Sequence, residues 1–186
     1  MTALWIALGG VAVLALALLV SYNRFVSQRN LVRNSWHNID TELRRRYDLI
    51  PNLVSAVKGY AAHEREVFET VTQARAAAIA ATGSPGEQEG PERALVEKLR
   101  QLVAVAEGYP DLKASESFLA LQRQLVDTED RIQVARRVYN ANVRSLNTRV
   151  QAFPSNLVAE VFRFREGEYF EVEAALRSAP PPTASG

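Results

Sequence analysis

An uninterrupted apolar run near the start of the chain limits its possible folds more than any other feature. Residues 3–20, ALWIALGGVAVLALALLV, contain no charged residue and no hydroxyl side chain. As an α-helix this run extends about 27 Å, close to the hydrocarbon thickness of a bilayer. Trp5 and Tyr22 lie near its two ends, where aromatic side chains favour the membrane–water interface. The run therefore predicts a transmembrane anchor over residues 1–22.

The main alternative for this run is a cleaved signal peptide. Such a peptide carries a basic residue before the apolar run and a small-x-small cleavage site after it. Before Leu4 only the terminal amine is charged, and the nearby triplet Ala15-Leu16-Ala17 lies inside the run. A retained anchor is favoured, and its marker residues are Ala3, Leu4, Trp5, Val20 and Tyr22.

The charges that follow the anchor predict its orientation. Arg24, Arg29 and Arg33 all precede the first acidic residue, Asp40. Positively charged flanks stay on the cytoplasmic side of a membrane. We therefore expect a single-pass protein with a short N-terminus outside and the rest of the chain in the cytoplasm.

The composition argues against several classes of function. The 22 basic and 21 acidic residues leave a net charge of +1, without the basic excess typical of nucleic-acid-binding proteins. The chain has no cysteine, which excludes disulfides, thiol nucleophiles and thiolate metal sites. Its two histidines lack the partners of zinc-protease and di-iron motifs, since Val67 stands where a zinc protease needs a second histidine after His63. We predict no catalytic residue, metal, cofactor, nucleic acid or small-molecule substrate.

Apolar residues recur at helical spacing along most of the remaining chain. Two sets recur at seven-residue intervals, one before and one after Pro110. The first contains Trp36, Leu43, Ile50 and Val57, and the second contains Phe118, Leu125, Ile132, Tyr139, Leu146 and Phe153. This spacing indicates long amphipathic helices, and no strand pattern competes with it. The prediction is an all-α fold, an elongated up-and-down bundle of long helices preceded by one N-terminal transmembrane helix.

Two prolines affect this pattern differently. The seven-residue count continues unchanged across Pro51, so this proline is predicted to bend one long helix within residues 25–80. The alternative is a new helix with Asp48 as its N-cap. At Pro110 the count is lost, and the preceding Gly108-Tyr109 is typical of a turn, so the chain is expected to turn a corner there.

The remaining breaks define the predicted domain organisation. The sequence TGSPGEQEGP at 82–91 predicts a flexible connection, with Pro91 opening the next helix. Pro154 ends the last long helix, and four aromatic residues after it are predicted to close one end of the bundle: Phe162, Phe164, Tyr169 and Phe170. The predicted units are the anchor at 1–22, a helical bundle domain at 23–170 and a disordered tail at 171–186.

Several motifs, in their order along the chain, resemble those of the LemA family. The long helix before residue 80 carries RRRYDLIPNLV, VKGYAAHE and ARAAA. YPDLKA, LQRQL, TEDRI, ARRVYN and FPSN follow, with FRF after them. Each motif is weak alone, whereas their succession together with the anchor is specific and covers about residues 1–170. The resemblance implies a bacterial protein of the cytoplasmic membrane, with a cytoplasmic bundle of long helices and no established enzymatic activity.

A few polar residues interrupt the apolar rows and are the candidates for a structural or partner-binding site. Arg46 is expected to point inward to a carboxylate, while the alternative for Arg44-Arg45-Arg46 is a basic patch for anionic lipid. Glu64 and Glu129 are the candidate partners for Arg46 and Arg136, and Tyr139 and Asn140 are predicted to make interhelical hydrogen bonds. The other candidates are Tyr47, Asp48, Pro51, Asn52, Tyr109 and Pro110.

These observations predict a non-enzymatic, membrane-anchored scaffold or adaptor of the LemA family. Its expected partners are the lipid bilayer and either further copies of the chain or another membrane protein. The alternative function is a membrane-linked sensor, in which a bend at Pro51 relays a change along the bundle.

Overall fold

The computed structural model describes residues 1–175, and this part of the chain is helical without any strand. Its helices, in chain order, are α1 (Thr2–Lys58), α2 (Arg65–Ala80), α3 (Pro85–Glu107), α4 (Pro110–Lys113), α5 (Glu116–Gln151) and α6 (Ser155–Val161). The predicted all-α architecture with a long N-terminal helix is confirmed. Residues 176–186, most of the tail expected to be disordered, lie outside the described residues.

The long helices α1 and α5 form an antiparallel pair that runs the length of the bundle. Gln28 donates a hydrogen bond to Ser145 at 2.7 Å, and Arg46 donates one to Glu129 at 3.0 Å, so rising numbers on α1 meet falling numbers on α5. The α2–α3 hairpin packs beside the half of α1 that is farther from the apolar N-terminal segment. The core lies between these helices and contains Ile39, Leu43, Leu53, Leu99, Leu125 and Ile132.

Helix α1 continues through Pro51 because another residue replaces the hydrogen bond that proline removes. Proline has no N–H, so the carbonyl of Tyr47, four residues earlier, loses its intrahelical donor. Arg75 of α2 supplies the missing donor, with its Nε 2.7 Å from the Tyr47 oxygen. The helix ends only at Lys58, so the alternative start of a new helix at Asp48 is wrong.

This replacement makes Pro51 and Arg75 energetically coupled. We expect Arg75→Ala to lower the free energy of unfolding by about 1–3 kcal/mol, because it leaves a buried carbonyl without a donor. In a Pro51→Ala background the backbone N–H returns, and the same substitution should cost less. Unfolding of the four proteins of this double-mutant cycle measures the coupling. Equal losses in both backgrounds would contradict the assigned role of Arg75.

The expectation of one long helix across residues 25–80 is wrong. The chain leaves α1 at Gly59 and begins α2 at Arg65, after which it turns back along the bundle. The N–H groups of Tyr60 and Ala61 both bond to the carbonyl of Val57, which closes the last turn. Glycine is a poor helix former and is frequent where helices end, and this signal outweighs the seven-residue count, which resumes at Val71 and Ala78 after the polar Glu64.

The connection between α2 and α3 is shorter than predicted for residues 82–91. Ser84 caps α3 by accepting a hydrogen bond from the N–H of Glu87, whose carboxylate accepts one from the N–H of Ser84 at 2.9 Å. This reciprocal capping box and Pro85 in the first turn start the helix early. Pro91 therefore lies inside α3 and does not open it.

The predicted corner at Pro110 is present. Helix α3 ends at Glu107, α4 is a single turn beginning at Pro110, and α5 starts at Glu116. After α5 the chain makes a second corner at Phe153-Pro154 and forms α6, whose Val158 and Ala159 pack with Phe25 in a small core near the anchor.

The apolar run forms the first turns of α1 and projects from the bundle. Residues 1–20 are exposed along their whole length. Within the described residues, α1 alone is long and apolar enough to cross a membrane. Helix α1 therefore continues from the apolar segment into the bundle without a linker.

Candidate functional site

A charged cluster lies in the interior of the bundle where three helices meet. Arg46 of α1 donates to Glu129 of α5 at 3.0 Å through one terminal nitrogen and to Glu92 of α3 through the other. Tyr47 donates its hydroxyl to the second oxygen of Glu92. All three charged side chains are at most 1% exposed, so the cluster is closed to solvent and holds α1, α3 and α5 at a fixed register.

Electrostatics keep these groups in their hydrogen-bonding forms. Burial lowers the pKa of Arg46, but the charges of Glu129 and Glu92 outweigh this effect, and the net pKa is raised. Burial raises the pKa of Tyr47, and the adjacent Glu92 raises it further. The guanidinium therefore stays charged and the phenol stays neutral, as donors to the two carboxylates.

An extended segment, Glu166–Ala175, completes the site and is named the strap here. It lies along α5, and side chains of α5 bind its backbone. Asn140 and Asn147 each grip one residue with both amide atoms: Asn140 pairs with the carbonyl and N–H of Phe170, and Asn147 does the same with Gly167, at 2.8–3.0 Å. At the far end of the strap, the N–H of Ala175 donates to Glu129 at 3.0 Å. Glu129 thus joins the strap to the charged cluster.

The repeat of α5 matches the strap in length. Seven helical residues, from Asn140 to Asn147, rise about 10.5 Å, and three extended residues, from Gly167 to Phe170, cover about 10 Å. The eleven residues from Glu129 to Asn140 rise about 16.5 Å, equal to the five extended residues from Phe170 to Ala175. A regular row of polar side chains on one helix can therefore bind successive positions of an antiparallel extended chain.

Tyr139 adds a pH-dependent contact to the strap. Its hydroxyl donates to the carbonyl of Glu168 at 2.7 Å, and burial, with a contribution from the Glu168 carboxylate, raises the pKa of Tyr139 to about 12. The stabilisation of the folded state by this hydrogen bond is complete below pH 10 and is lost between pH 10 and 12. The reason is that the tyrosine ionises at a lower pH in the unfolded chain than in the folded one. We expect Tyr139→Phe to cost about 1 kcal/mol at neutral pH and to reduce the loss of stability in that alkaline range.

Unfolding midpoints measured from pH 8 to 12 test this expectation. Tyr60→Phe is the matched control, because Tyr60 is half exposed at the far end of α1 and should leave the profile unchanged. An alkaline profile for Tyr139→Phe that equals the wild type would contradict the assignment.

The structure of the strap and of the residues before it corrects three predictions. Tyr139 and Asn140 bind the strap and not a neighbouring helix. The predicted tail at 171–186 begins too early, because Val172 and Ala175 are buried against the bundle. The four aromatic residues also separate: Phe164 stacks on Phe25 and Phe162 packs on Tyr22 near the anchor, whereas Phe170 inserts beside Trp36 farther along.

The structure brings together some of the other candidate residues and leaves the rest apart. Of the two carboxylates proposed for Arg46, Glu129 contacts it, whereas Glu64 stands before the first residue of α2 and makes no ion pair within residues 1–175. Arg136 is half-buried beside Glu171 and Glu173 of the strap, and no ion pair joins it to Glu64 or Glu129 within that range. The remaining candidates lie at the surface or at helix ends: Asp48, Pro51, Asn52, Tyr109 and Pro110.

The sequence reasoning missed Glu92. It lies three residues before Leu95 and thus on the buried stripe of α3, which a carboxylate normally avoids unless it is paired. The assignment of residues 82–91 to a connection placed Glu92 at a helix start and hid this signal. Arg44 and Arg45 pair with Asp40 and Glu42 on the surface of α1, each at 3.0 Å.

The α1–α5 pair also has an open side, named the α1/α5 groove here. It is an open groove with a volume of about 480 Å³, and α2, α3 and the strap contribute no residue to its lining. Its apolar lining comes from Val134, Val138 and Ala135, and Glu42, Asp130 and Arg131 form a charged rim. Val134 and Val138 are half exposed and lie one helical turn apart, so they present a continuous apolar edge.

Comparison with known proteins gives the family. Residues 35–183 match the pattern of the LemA family. The chain belongs to this family. The matched range includes the charged cluster, the strap and the α1/α5 groove, so these features lie in the part of the chain that defines LemA proteins.

Individual LemA relatives are similar over most of the chain. The magnetosome protein MamQ 2 of Paramagnetospirillum magneticum is 28% identical over 183 residues, covering 85% of this chain and 67% of that protein. The magnetosome protein MamQ of Magnetospirillum gryphiswaldense is 27% identical with the same coverage. The protein LemA of Metamycoplasma hominis is 27% identical over 142 residues, covering 74% of this chain and 63% of that protein.

Proposed function

We propose that this LemA-family protein is a non-enzymatic, membrane-anchored scaffold that assembles through the α1/α5 groove. The observation that carries the proposal is the exposed apolar edge of Val134 and Val138 beside a charged rim. A groove of this kind fits the apolar face of a helix, with the rim charges setting register and partner choice.

The occupant of the groove that we propose is a second copy of the chain. The groove carries acidic Glu42 and Asp130 beside basic Arg131, so two copies of the same surface can pair opposite charges. Membrane anchoring holds copies in one plane and raises their local concentration, which favours contacts too weak to form between free bundles.

The polar interior supports a structural and not a chemical role. Arg46, Glu92 and Glu129 are hydrogen-bonded to one another, to Tyr47 and to the strap, and they are closed to solvent. Within residues 1–175 the Nε of Arg46 is the atom of this cluster that has no hydrogen-bond partner. Such a cluster fixes one arrangement of the helices, which a scaffold needs in order to present a constant surface. The absence of enzymatic activity stays a prediction.

Cysteine crosslinking tests the assembly, and the chain offers it without background because it has no native cysteine. The full chain carrying Val138→Cys, reconstituted alone into vesicles and treated with a short bis-maleimide, should give a covalent dimer. Leu119→Cys is the control, since Leu119 is exposed on the same helix outside the groove. Val134→Glu in the Val138→Cys background should abolish the dimer and leave the unfolding transition unchanged.

The opposite outcome has a clear meaning. Equal crosslinking at positions 119 and 138, or no product at either, would remove self-assembly through the groove. Crosslinking of Val138→Cys to a single membrane protein in native membranes, without a dimer in vesicles, would keep the scaffold role with the other predicted partner.

The same cysteine variants test the proposed orientation. The arginines that follow the apolar segment, Arg24, Arg29 and Arg33, favour a cytoplasmic bundle. In intact cells a membrane-impermeant maleimide should therefore leave Leu119→Cys unlabelled until the membrane is permeabilised. Labelling of intact cells would reverse the orientation.

A further inference from the structure

The corner between α5 and α6 carries several exposed apolar side chains. Phe153 is 80% exposed, Val161 74% and Leu157 54%. These residues follow one another at intervals of four, and Phe162 adds a fourth exposed apolar side chain beside Val161. The opposite side of α6 is buried, because Val158 and Ala159 pack with Phe25. The corner is therefore amphipathic, with its apolar side unoccupied.

This corner lies beside the apolar segment of α1. Pro154 and Leu157 line one wall of a groove of about 770 Å³, and residues of α1 from Val13 to Val20 line the other. The seven-residue rise from Val13 to Val20 is about 10 Å. If residues 3–20 cross a bilayer, the corner lies alongside the last third of the crossing, at the depth where interfacial helices bury their apolar faces.

Two arginines line the same groove, and two more follow α6 in the sequence. Arg24 and Arg149 line it, and Arg163 and Arg165 are exposed immediately after α6. Arg163 has a left-handed backbone with φ of 57°, and this turn directs Phe164 onto the ring of Phe25. The nearby exposed acids, Glu160 and Glu166, are fewer than the arginines. The surface around the groove is thus suited to phosphate headgroups of anionic lipids.

We propose that the α5–α6 corner, residues 152–162, is a second membrane contact that inserts its apolar side between lipid headgroups and acyl chains beside the anchor. Lipid is the occupant because the groove is continuous with a segment that itself lies in the bilayer, where water cannot fill it. This inference rests on the anchor of the proposed function and does not depend on assembly through the α1/α5 groove. It fixes the bundle at two points, so that the bundle stands at one angle to the membrane.

Nitroxide labels on single cysteines test the contact in the full chain. Leu157→Cys and Val161→Cys are labelled in vesicles of phosphatidylcholine with phosphatidylglycerol, and collision rates with oxygen and with a water-soluble nickel chelate are measured. Oxygen partitions into lipid and the chelate into water, so both labels should show an oxygen-to-nickel ratio several-fold above that of Leu119→Cys. Leu119 is the control because it lies about 48 Å along α5 from the corner.

The basic residues provide a second measurement. In the labelled Leu157→Cys protein, the paired substitutions Arg163→Glu and Arg165→Glu should lower the ratio toward that of position 119 in vesicles that contain phosphatidylglycerol. All of these positions are exposed, so the bundle keeps its fold, and the unfolding transition verifies this.

Two results would overturn the inference, and they differ from a failure of the proposed function. Ratios at positions 157 and 161 equal to that at 119 would place the corner in water, even if the protein remains anchored and forms dimers. Low collision rates with both reagents, accompanied by dipolar broadening, would show that a second copy covers the corner and lipid does not. Loss of dimer crosslinking at Val138→Cys would leave this inference untouched.

Discussion

Replacing Arg46 with alanine is expected to remove about 3–5 kcal/mol from the free energy of unfolding of the bundle. Glu92 and Glu129 are at most 1% exposed, and the substitution removes the cation that pairs with both of them. Burying an unpaired carboxylate costs several kcal/mol, because the protein interior solvates the charge poorly. A loss of this size is a large part of the total stability of a domain.

Denaturant unfolding of the full chain in detergent, followed by tryptophan fluorescence, measures this loss. A Trp5→Phe background leaves Trp36 as the only reporter, and Trp36 packs against Tyr139 and Phe170 inside the bundle. Arg44→Ala is the matched control, since Arg44 is mostly exposed and pairs with Asp40 one turn away. Such surface pairs contribute at most about 1 kcal/mol.

The cause of the loss can be separated from the removal of a long side chain. In the triple variant Arg46→Met, Glu92→Gln and Glu129→Gln, the buried charges are gone, and the glutamine at 129 can still accept the N–H of Ala175. We expect this variant to recover much of the stability lost in Arg46→Ala. If the triple variant is less stable than Arg46→Ala, or if Arg46→Ala stays within 1 kcal/mol of the wild type, the assigned role of the cluster is wrong.

The seven-residue rows were sufficient to predict the helices but not all of their ends. The rows gave α1, α5 and the corner at Pro110 because each depends on local residue spacing. They failed at Gly59, beyond which apolar residues return at the same interval, at Val71 and Ala78, although the chain reverses. A repeat of seven places residues on one face of a helix, and it contains no information on whether two successive stretches are one helix or two antiparallel ones.

The charged cluster was predictable in part because helical spacing shows which residues face the core. Arg46 lies three and four residues from Leu43 and Ile50, and Glu129 lies four and three residues from Leu125 and Ile132. Both therefore face the core, and their burial and opposite charges suggest a pair. Glu92 follows the same rule but was assigned to a connection. No local pattern predicts which of Glu64, Glu92 and Glu129 pairs with Arg46, since the pairing depends on how α3 lies against α1 and α5.

The strap is the feature that sequence periodicity indicated least. Its buried residues Phe170 and Val172 alternate with exposed Glu171 and Glu173, which is the two-residue period of an extended chain but too short to predict a strand. Its backbone hydrogen bonds within residues 166–175 go to side chains of α5 and of α3, where Glu89 and Arg100 take part, and not to another backbone. The binding row is visible only once the seven-residue spacing of Asn140 and Asn147 is placed beside an extended chain.

Replacing Phe170 with alanine is expected to cost about 3–5 kcal/mol and to release the strap. Phe170 is fully buried, and its ring meets Trp36 edge-on with 5.1 Å between ring centroids. The strap covers the part of α1 and α5 nearer the apolar N-terminal segment. Its other contacts with the bundle include single hydrogen bonds and amide pairs that contribute about 1 kcal/mol each. Loss of the one large apolar contact should therefore free the segment before the helices separate.

Two measurements distinguish release of the strap from general destabilisation. The backbone N–H groups of residues 170 and 175 bond to Asn140 and Glu129. In Phe170→Ala they should exchange with solvent much faster than in the wild type, while the amides of α5 remain more protected than those of the strap. Tyr169→Ala is the control, because the adjacent Tyr169 is 40% exposed and should leave exchange and stability close to the wild type. Strap amides that exchange together with those of α5 would show that the strap unfolds only with the whole bundle.

Since Ala175 binds Glu129, early release of the strap also predicts that the losses of stability in Phe170→Ala and Arg46→Ala are not additive. Each substitution weakens the environment of the same buried carboxylate.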